Sequence, residues 1–359
     1  GLMSGTSADS IDAALADLSD GQHRLLATLS CDIADLKNDI HELATPGFNE
    51  ISRMGQLDRE LGLRFANAAN TLRQVIAIGS HGQTIRHTPP GDGNNRHPFT
   101  LQIGDPNTIA HLTGITTVAD FRRRDIALGG QGAPLTPLFH RATFEKPGTL
   151  RAIINIGGIA NITLLFGDGV SSPLGYDTGP GNGLMDSWIL QSLGEAYDDN
   201  GQWASEGQVI PTLLEQFLKT PYLFKKAPKS TGRELFNPEW LSQQLVSFGD
   251  SIEPADLQAT LLEFTAQTIS TGIRKSHRPI TEAYLCGGGA YNGALVSRIS
   301  ALLNPIQVST TEALGILPGW VEAMAFAWLA QQTLSGKPGN EPTVTGASAA
   351  SVLGAIHPA

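Results

Sequence analysis

A single carboxylate, Asp177, lies in the stretch PLGYDTGPGNGLMDSWIL, directly before an apolar stretch that is typical of a helix. Three glycines and a proline follow it by Gly183, and they predict a tight loop whose backbone lets a ligand approach closely. An aspartate in such a place often caps a helix. Here the helix is predicted to begin after Pro180, so Asn182 or Thr178 suits the cap better. We therefore interpret Asp177 as a candidate general base.

A second polar stretch, MSGTSADSID, covers Met3 to Asp12 and places glycine and hydroxyl residues between two predicted strands. Its backbone N–H groups and the hydroxyls of Thr6 and Ser7 can converge on an anion such as a phosphate. Asp9 and Asp12 follow closely enough for one of them to face a metal ion that attends the phosphates, and Asp9 is the candidate ligand that we select. The stretch lacks the lysine of a Walker motif, and an ordinary Ser/Gly turn with solvated aspartates is the alternative interpretation.

The stretch NIGGIANIT joins two predicted strands through Gly157 and Gly158, with Asn155 and Asn161 on either side. A Gly-Gly hairpin is common in proteins and needs no ligand. Two glycine-rich hairpins, one in each half of the chain, can however clamp a polyphosphate from both sides.

The stretch LCGGGAYN leads a predicted strand into Gly287–Gly289 and then, at Asn292, into a helix. Bare backbone of this kind suits a flat nucleobase or a ribose. A dinucleotide fold would need GxGxxG directly after the first strand and an acid about twenty residues later. Neither the position nor the spacing fits, so we do not predict an NAD enzyme.

Polar residues also follow predicted strands of the first half, in SHGQTIRH and DFRRRDIALGGQGAPL. His81, Gln83, Thr84 and Arg124 suit recognition of a polyhydroxylated ligand that carries a carboxylate, although a lone histidine is more often structural. Glu322 is the only charge on the apolar helix predicted from WVEAMAFAWLAQQTL. Because little polar surface surrounds it, we expect a buried acid that faces a ligand, with an exposed helix face as the alternative.

The composition limits the classes of function. A length of 359 residues predicts two domains rather than one core. The net charge of −10 argues against nucleic-acid or membrane partners, since the basic run Arg122–Arg124 is too short to neutralise many phosphates. Cys31 and Cys286 lack CxxC partners, so no disulfide framework or zinc site is predicted. No signal peptide or apolar run near ~18 residues is found, and we expect a cytoplasmic protein.

The periodicity of apolar residues predicts two similar halves. The first contains three short strands, an amphipathic helix from Asn49 to Gln74, and a strand–helix–strand segment whose helix begins at Asp105 and Pro106. The second restarts with a hairpin, a third strand and helices, and ends with a strand, a helix, a strand and an apolar helix. This order predicts a duplicated α/β fold with a cleft between the copies. We predict one domain at 1–121 plus about 337–359, and the other at 122–336.

Together these stretches resemble the anhydro-N-acetylmuramic acid kinase family in order and spacing, over essentially the whole chain. The resemblance is carried by MSGTSADSID, GSHGQTIRH, QIGDP, ADFRRRDIALGGQGAPL, NIGGIANIT, DTGPGN, CGGGAYN and EAMAFAWLA. The chain departs from the family pattern at Ala8 and Ser10, where a large apolar residue and a glycine are expected. The resemblance implies a two-lobed, duplicated actin-like and ribonuclease H-like α/β fold of the sugar kinase, Hsp70 and actin superfamily, with ATP between the lobes. It also suggests a homodimer.

The resemblance further implies that ATP and water convert 1,6-anhydro-N-acetylmuramic acid into N-acetylmuramic acid 6-phosphate and ADP, in the recycling of bacterial cell wall. Asp177 would activate the water, Glu322 would hold the sugar or orient the water, and Mg²⁺ would attend the phosphates. The implied ATP contacts are Gly5, Thr6, Ser7, Ala8, Asp9, Ser10, Ile11, Asp12, Asn155, Gly157, Gly158, Asn161, Gly287, Gly288, Gly289 and Asn292. The implied contacts of the sugar, a small-molecule substrate, are His81, Gln83, Thr84, Arg124, Gly179 and Asn182.

Two other functions remain open from the sequence. A plain sugar or amino-sugar kinase of the same superfamily would use Asp177 to deprotonate a substrate hydroxyl directly. A nucleotide-gated binding or regulatory protein is the alternative from another class. The sequence shows no basic helix-turn-helix segment and no extended peptide-binding domain, which counts against the second.

Overall fold

The computed structural model of this chain describes residues 1–5, 8–72, 75–90, 97–232, 235–249, 251–276 and 278–359. The chain divides into two compact units, residues 1–143 with 320–359, and residues 144–319. The predicted boundaries are therefore displaced, because 122–143 and 320–336 belong to the first unit. One reason is Asp125, a fully buried carboxylate that accepts hydrogen bonds from the side chains of Asn340 and Thr345.

Both units contain helices and strands. The strands are β1 (Leu2–Met3), β2 (Ser10–Asp17), β3 (Arg24–Asp32), β4 (Ile78–Gly79), β5 (Gln83–Thr88), β6 (Phe99–Ile103), β7 (Thr117–Ala119), β8 (Arg151–Ile156), β9 (Ile159–Leu165), β10 (Leu174–Pro180), β11 (Glu282–Cys286), β12 (Gln307–Thr310) and β13 (Ala355–His357). The α-helices are α1 (Lys37–Leu43), α2 (Glu50–Thr71), α3 (Pro106–Thr113), α4 (Arg123–Ala127), α5 (Pro137–Phe144), α6 (Gly183–Leu193), α7 (Gln202–Glu206), α8 (Pro211–Leu218), α9 (Pro238–Phe248), α10 (Pro254–Arg274), α11 (Gly293–Leu303), α12 (Val321–Leu334) and α13 (Pro342–Thr345).

The first unit opens with the predicted meander, in which β1 and β3 both pair antiparallel with β2. In a further sheet β7 pairs parallel with β4 and antiparallel with β13, and β5 and β6 form an antiparallel hairpin. The predicted strand–helix–strand segment is confirmed as β6, α3 and β7. Asp105 caps α3, since its carboxylate accepts hydrogen bonds from the N–H groups of Asn107 and Thr108.

The long amphipathic helix of the first unit is confirmed as α2, while Gln74 at the end of the predicted range lies outside the described residues. Its apolar stripe packs in one cluster with side chains of the meander and of α3. Phe65 of α2, Ile11 of β2 and Ile109 of α3 are all fully buried in this cluster. The helix therefore covers the meander that carries the first predicted phosphate hairpin.

Helix α12 lies directly on the backbone of β1 and β4. A Cβ atom built on Gly79 would lie 2.0 Å from the Phe326 carbonyl oxygen, and one on Gly1 would lie 1.7 Å from that of Ala323. Only glycine leaves room for a helix this close to a strand. The contact fixes the first turn of α12, which carries Glu322.

The second unit is built on a sheet in the order β10-β9-β8-β11-β12. The strands β8, β9 and β10 form an antiparallel meander, and β11 is parallel to both β8 and β12. Ile154, Ile162 and Tyr176 of the meander share one apolar cluster with Phe264 and Ile269 of α10. Helices therefore cover this face of the sheet, which is called the helix face below.

Both units thus begin with an antiparallel three-stranded meander, as the sequence predicts, and the mixed α/β class is confirmed. In the described parts of the chain, no helix combines the length and the apolar character that a membrane crossing needs.

Replacing Gly79 by alanine tests the close approach of α12. Gly79→Ala forces the helix away from β4, and overpacking of this kind costs ~1–3 kcal/mol, which corresponds to a melting temperature lower by roughly 2–12 °C. Gly55→Ala is the matched control, because nothing lies within 4 Å of its new Cβ in α2. That variant should gain ~0.5–1 kcal/mol. Thermal unfolding measures the melting temperatures of both variants, and equal values would contradict the packing described.

Candidate active site

Three predicted site residues lie in one row across the antiparallel strands of the second unit. Asn155 of β8 stands opposite Asn161 of β9, and Asn161 stands opposite Asp177 of β10. Opposite residues project from the same face of a sheet with Cβ atoms about 4.5–5.5 Å apart. Their sequence neighbours Ile154 and Tyr176 point to the helix face. The row therefore gathers two amides and a carboxylate on the other face.

Asp177 lies in a strand, so the predicted DTGPGN loop is wrong from Asp177 to Pro180, and only Gly181 and Asn182 lie between β10 and α6. β10 continues to Pro180 alongside β9, with a shift of register between Asp177 and Gly179. Gly179 adopts a φ of 155° at this irregularity, and a Cβ there would lie 3.3 Å from the Thr268 side chain. Glycine and proline indicated a turn locally, but the pairing with β9 absorbs them as an irregular strand end.

The surroundings of Asp177 fix both its main chain and its carboxylate. Oδ2 accepts a hydrogen bond from the Thr231 N–H at 2.9 Å. The Asp177 N–H donates to the Lys229 carbonyl at 3.3 Å, and its carbonyl accepts from the Tyr222 hydroxyl at 2.9 Å. The residue is 8 % exposed. A carboxylate with a fixed direction suits a general base, which must meet its proton within hydrogen-bond reach.

Three glycine-rich segments meet at one end of this sheet and are called the glycine edge: Gly157–Gly158, Gly181–Gly183 and Gly287–Gly289. Because β8 and β11 are parallel, with Asn155 opposite Cys286, the turns that follow both strands lie at the same end. The segment after β10 joins them there. The Asn182 N–H donates to the Gly157 carbonyl at 2.8 Å, and the Gly181 N–H donates to the Gly158 carbonyl at 3.0 Å.

The glycine edge requires glycine because its backbones touch. A Cβ on Gly181 would lie 2.1 Å from the Gly157 carbonyl oxygen, and a Cβ on Gly287 would lie 2.4 Å from Asn155 Oδ1. Within the described residues, the backbone N–H groups of Gly158 and Gly288 have no hydrogen-bond acceptor. Backbone donors of this kind suit phosphate oxygens.

Asn182 belongs to the glycine edge. It precedes α6, but its side chain makes no capping hydrogen bond. Its Oδ1 is buried, finds no donor among the residues described, and would lie 3.0 Å from a Cβ on Gly289. A buried oxygen left in this state costs ~1–3 kcal/mol, and a ligand that donates an N–H or O–H group would remove that cost. The predicted role of Asn182 is a sugar contact, whereas its neighbours are the turns predicted to bind the nucleotide.

Two other predicted site residues, Asn292 and Glu322, lie at the first turns of helices. Asn292 caps α11, because its Oδ1 accepts a hydrogen bond from the Leu295 N–H at 3.0 Å. Its oxygen is therefore committed to the helix. Glu322 is half-buried in the first turn of α12. It belongs to the first unit, whereas the predicted domain boundaries placed it with Asp177.

The first predicted phosphate hairpin lies partly outside the described residues, since Thr6 and Ser7 are not among them. Ala8 is fully buried with a φ of 54°, and its N–H donates to the Gly5 carbonyl at 3.1 Å. A positive φ is uncommon for a residue other than glycine. The departure from the family pattern therefore falls at a turn where a small buried side chain occupies a left-handed position. Ser10 begins β2.

The carboxylates of this hairpin already have partners. Asp9 is exposed and forms an ion pair with Lys37. Asp12 accepts hydrogen bonds from Ser10 and Ser30, while burial raises its pKa. Across the described ranges, no three His, Cys, Asp or Glu residues are grouped as a metal site of protein ligands would require.

His81 is buried, and protein groups occupy both of its ring nitrogens. The Arg122 Nε–H donates to Nε2 at 3.0 Å, and Nδ1 lies 2.8 Å from the Gly82 carbonyl oxygen. The ring proton therefore sits on Nδ1. Burial, and next the Arg122 charge, lower the pKa of His81 well below its usual value. The neutral ring orients Arg122, a role that leaves neither nitrogen for the predicted sugar contact.

The remaining predicted sugar contacts of the first unit differ in access. Gln83 is buried, with its Oε1 accepting from the Ser4 hydroxyl at 2.7 Å. The Thr84 hydroxyl accepts from Gln102 at 3.1 Å. Arg124 is exposed on α4. Of these three side chains, only the guanidinium of Arg124 is openly accessible to an anion.

Sequence reasoning missed the segment that supports Asp177. Tyr222, Lys229 and Thr231 contact it through the hydrogen bonds given above, yet no motif was assigned to them. The available signal was the run KKAPKST, which concentrates three lysines around a proline in an acidic chain.

Known proteins similar to this chain match it along essentially its whole length. The family described as "AnmK: Anhydro-N-acetylmuramic acid kinase" matches residues 1–359. The anhydro-N-acetylmuramic acid kinase of Coxiella burnetii (strain RSA 493 / Nine Mile phase I) is 51% identical over 366 residues, which cover 99% of this chain and 96% of that protein. The one of Shewanella loihica is 52% identical over 367 residues, covering 100% and 98%. Among solved structures, a ROK family glucokinase from Streptomyces griseus in complex with glucose and AMPPNP aligns with a TM-score of 0.41 and 14% identity, over 92% of this chain and 98% of that chain.

Neighbouring glycines of the glycine edge provide a matched pair of variants. Gly287 has a φ of 78°, so Gly287→Ala adds left-handed strain of ~1–2 kcal/mol to the clash with Asn155. In Gly288→Ala the new Cβ meets only Asn182 Nδ2, at 3.7 Å, and stability should change by less than about 0.5 kcal/mol. Urea unfolding measures both. A loss in Gly288→Ala as large as in Gly287→Ala would contradict the geometry described.

Proposed function

The chain belongs to the anhydro-N-acetylmuramic acid kinase family, and we propose that it converts 1,6-anhydro-N-acetylmuramic acid, ATP and water into N-acetylmuramic acid 6-phosphate and ADP. This reaction reuses a sugar of the bacterial cell wall. The observation that carries the proposal is the row of Asn155, Asn161 and Asp177 beside the glycine edge. It combines a fixed carboxylate with unpartnered backbone donors at one end of a sheet.

Asp177 is the proposed general base. It takes a proton from water as the water oxygen bonds to the anomeric carbon, and the bond from that carbon to O6 breaks. O6 then takes the γ-phosphoryl group of ATP, and ADP leaves. The hydrogen bond from Thr231 N–H to Oδ2 fixes the orientation of the carboxylate. The first requirement of a general base is that it lies within hydrogen-bond reach of the proton that it removes.

The glycine edge is the proposed site for the phosphates and nucleoside of ATP. Phosphoryl transfer mainly requires positioning and neutralisation of charge, and the N–H groups of Gly158 and Gly288 supply neutral donors. Asn182 Oδ1 fits as an acceptor for an N–H or O–H group of the nucleotide, because burial without a donor is otherwise unfavourable.

Mg²⁺ would neutralise charge on the transferring phosphoryl group when it is bound. In proteins it commonly takes one or two carboxylates together with substrate phosphates. Asp9 is the proposed carboxylate, and its ion pair with Lys37 shows that its surroundings already hold a positive charge. Asp12, with its pKa raised by burial, is the less suitable of the two acids.

The first unit supplies the other proposed contacts. Glu322 would hold the sugar or orient the water, and Arg124 would pair with the lactyl carboxylate of the sugar, since its guanidinium is exposed. His81 would contribute indirectly, through its hydrogen bond with Arg122. A homodimer and a cytoplasmic location stay predictions, and size-exclusion chromatography with light scattering tests the first.

Removing the base tests the role of Asp177. Asp177→Asn keeps the size and the acceptor for Thr231 N–H but cannot take the proton, so kcat should fall by ~10²–10⁴-fold while ATP affinity is retained. Asp199→Asn is the control, because Asp199 is an exposed acid of the same unit. Steady-state ADP release and nucleotide titration give both quantities. Turnover of Asp177→Asn within a few-fold of the parent would remove Asp177 from this role.

Labelled water separates the proposed reaction from that of a plain sugar kinase. If water opens the anhydro ring, turnover in H₂¹⁸O places one ¹⁸O atom on the anomeric carbon and none on the phosphate, as read by mass spectrometry of the product directly after reaction. Ordinary N-acetylmuramic acid should support little ADP release. ADP release that depends on ordinary N-acetylmuramic acid, with no ADP release from the anhydro sugar, would favour direct phosphorylation of a hydroxyl.

A further inference from the structure

A cavity of about 570 Å³ lies in the second unit, on the helix face of β10. It is lined by Tyr176 and Thr178 of β10 and by Thr268 and Thr271 of α10. Side chains of a strand alternate between its faces, so Tyr176 and Thr178 point away from the face that carries Asp177. The cavity is therefore distinct from the row described above.

The lining of this cavity combines apolar surface with positive charge. Its apolar part consists of Leu174, Tyr176, Leu218, Leu223 and Phe224. Its basic part consists of Lys225, Lys226, Lys229 and Lys275, and the described residues contribute no acidic side chain to the lining. In a chain of net charge −10, four ammonium groups around one cavity are a marked local excess. We call them the lysine group.

The lysine group has no carboxylate partner in the part of the chain that the structure describes. None of its four members forms an ion pair with a carboxylate of the described residues. Lys225, Lys229 and Lys275 lie instead against aromatic rings. The Lys229 Nζ is 4.5 Å from the ring centre of Tyr222 and 5.6 Å from that of Tyr176. Lys275 lies over the Phe224 ring at 5.9 Å.

Lys229 shows the electrostatic cost of this arrangement. Burial, followed by the charges of Lys275 and Lys225, lowers the pKa of Lys229 to about 8, although the Asp177 carboxylate acts in the opposite direction. An anion placed among the lysines would favour the charged amine. Four clustered cations match a doubly charged group better than a single carboxylate, and lysine commonly binds phosphate as a point charge.

We propose that this cavity is a binding site for a small ring-bearing organic phosphate, with the phosphate among the lysine group and the ring against Tyr176, Leu218 and Leu223. The volume lies within the range of ligand cavities, about 300–1,000 Å³. Thr178, Thr268 and Thr271 also line the cavity and offer hydroxyl groups for polar contacts. Nothing in the reaction proposed above uses this side of β10.

Labelling with pyridoxal 5′-phosphate tests the site in the full-length protein. This probe is a ring-bearing phosphate whose aldehyde reacts with a neutral amine, losing water to form an imine. Added borohydride reduces the imine to a stable secondary amine that mass spectrometry locates. Near pH 8 we expect Lys229 to be labelled first. Phenyl phosphate should slow this labelling at least tenfold, and pyridoxal, which lacks the phosphate, should label Lys229 at least tenfold less.

Matched variants separate the site from general lysine reactivity. The triple variant Lys225→Met, Lys226→Met and Lys275→Met should reduce labelling of Lys229 at least tenfold. The control triple, Lys146→Met, Lys219→Met and Lys337→Met, removes the same charge from exposed positions outside the cavity and should leave it unchanged. Protection by ADP or by N-acetylglucosamine 6-phosphate supports the site and identifies which kind of ring it accepts.

Labelling spread evenly over exposed lysines would overturn the proposal. So would labelling of Lys229 that none of the three phosphates slows, or an equal effect of the two triple variants. The measurement needs no turnover, so its outcome is independent of whether the proposed kinase reaction is correct.

Discussion

The pairing register of β8, β9 and β10 is the constraint on which the candidate site depends. It places Asn155, Asn161 and Asp177 opposite one another. A slip by one residue would send a whole strand's side chains to the opposite face. Asp177 would then point into the apolar cluster that holds Tyr176 and Ile162, where an unpaired carboxylate is strongly unfavourable. The apolar helix face therefore specifies the polar row as firmly as any contact of the polar residues themselves.

The parallel pairing of β8 with β11 supplies the second half of the site. It brings the turns after both strands to one end of the sheet, where the segment after β10 also arrives. These turns approach so closely that a Cβ on Gly181 or Gly287 would overlap a neighbour. The same absence of side chains leaves N–H groups open to a ligand. Close packing and access to phosphate thus have a single structural cause.

Both faces of β10 are tied to the segment that follows α8. The Tyr222 hydroxyl and the Lys229 carbonyl hold the main chain of Asp177. The Lys229 side chain, which lies over the Tyr222 ring, also lines the cavity. Because Lys229 contributes to both, the base and the lysine group depend on the same segment of backbone. Two sites of different charge can lie this near each other because a strand separates them.

The local pattern of the sequence was sufficient for the regular elements and for most of the site's residue types. Period-3.6 apolar spacing located α2, Asp105 with Pro106 located α3, and the Gly-Gly hairpin between β8 and β9 followed from turn chemistry. These features depend on residues a few positions apart, so the sequence contains all the information that they need. The glycine stretches and Asp177 were recognisable for the same reason.

Tertiary structure decided the features that depend on distant partners. Pairing with β9 made a strand of the predicted loop around Asp177. The hydrogen bond to Gly157 and the packing beside Gly289 place Asn182 among the turns predicted to bind the nucleotide. Packing against β4 placed α12 and Glu322 in the first unit. A hydrogen bond from Arg122 occupies Nε2 of His81. The lysine group joins residues from a loop and from the end of α10. Each of these outcomes is settled by contacts between segments far apart in the chain, which no local spacing encodes.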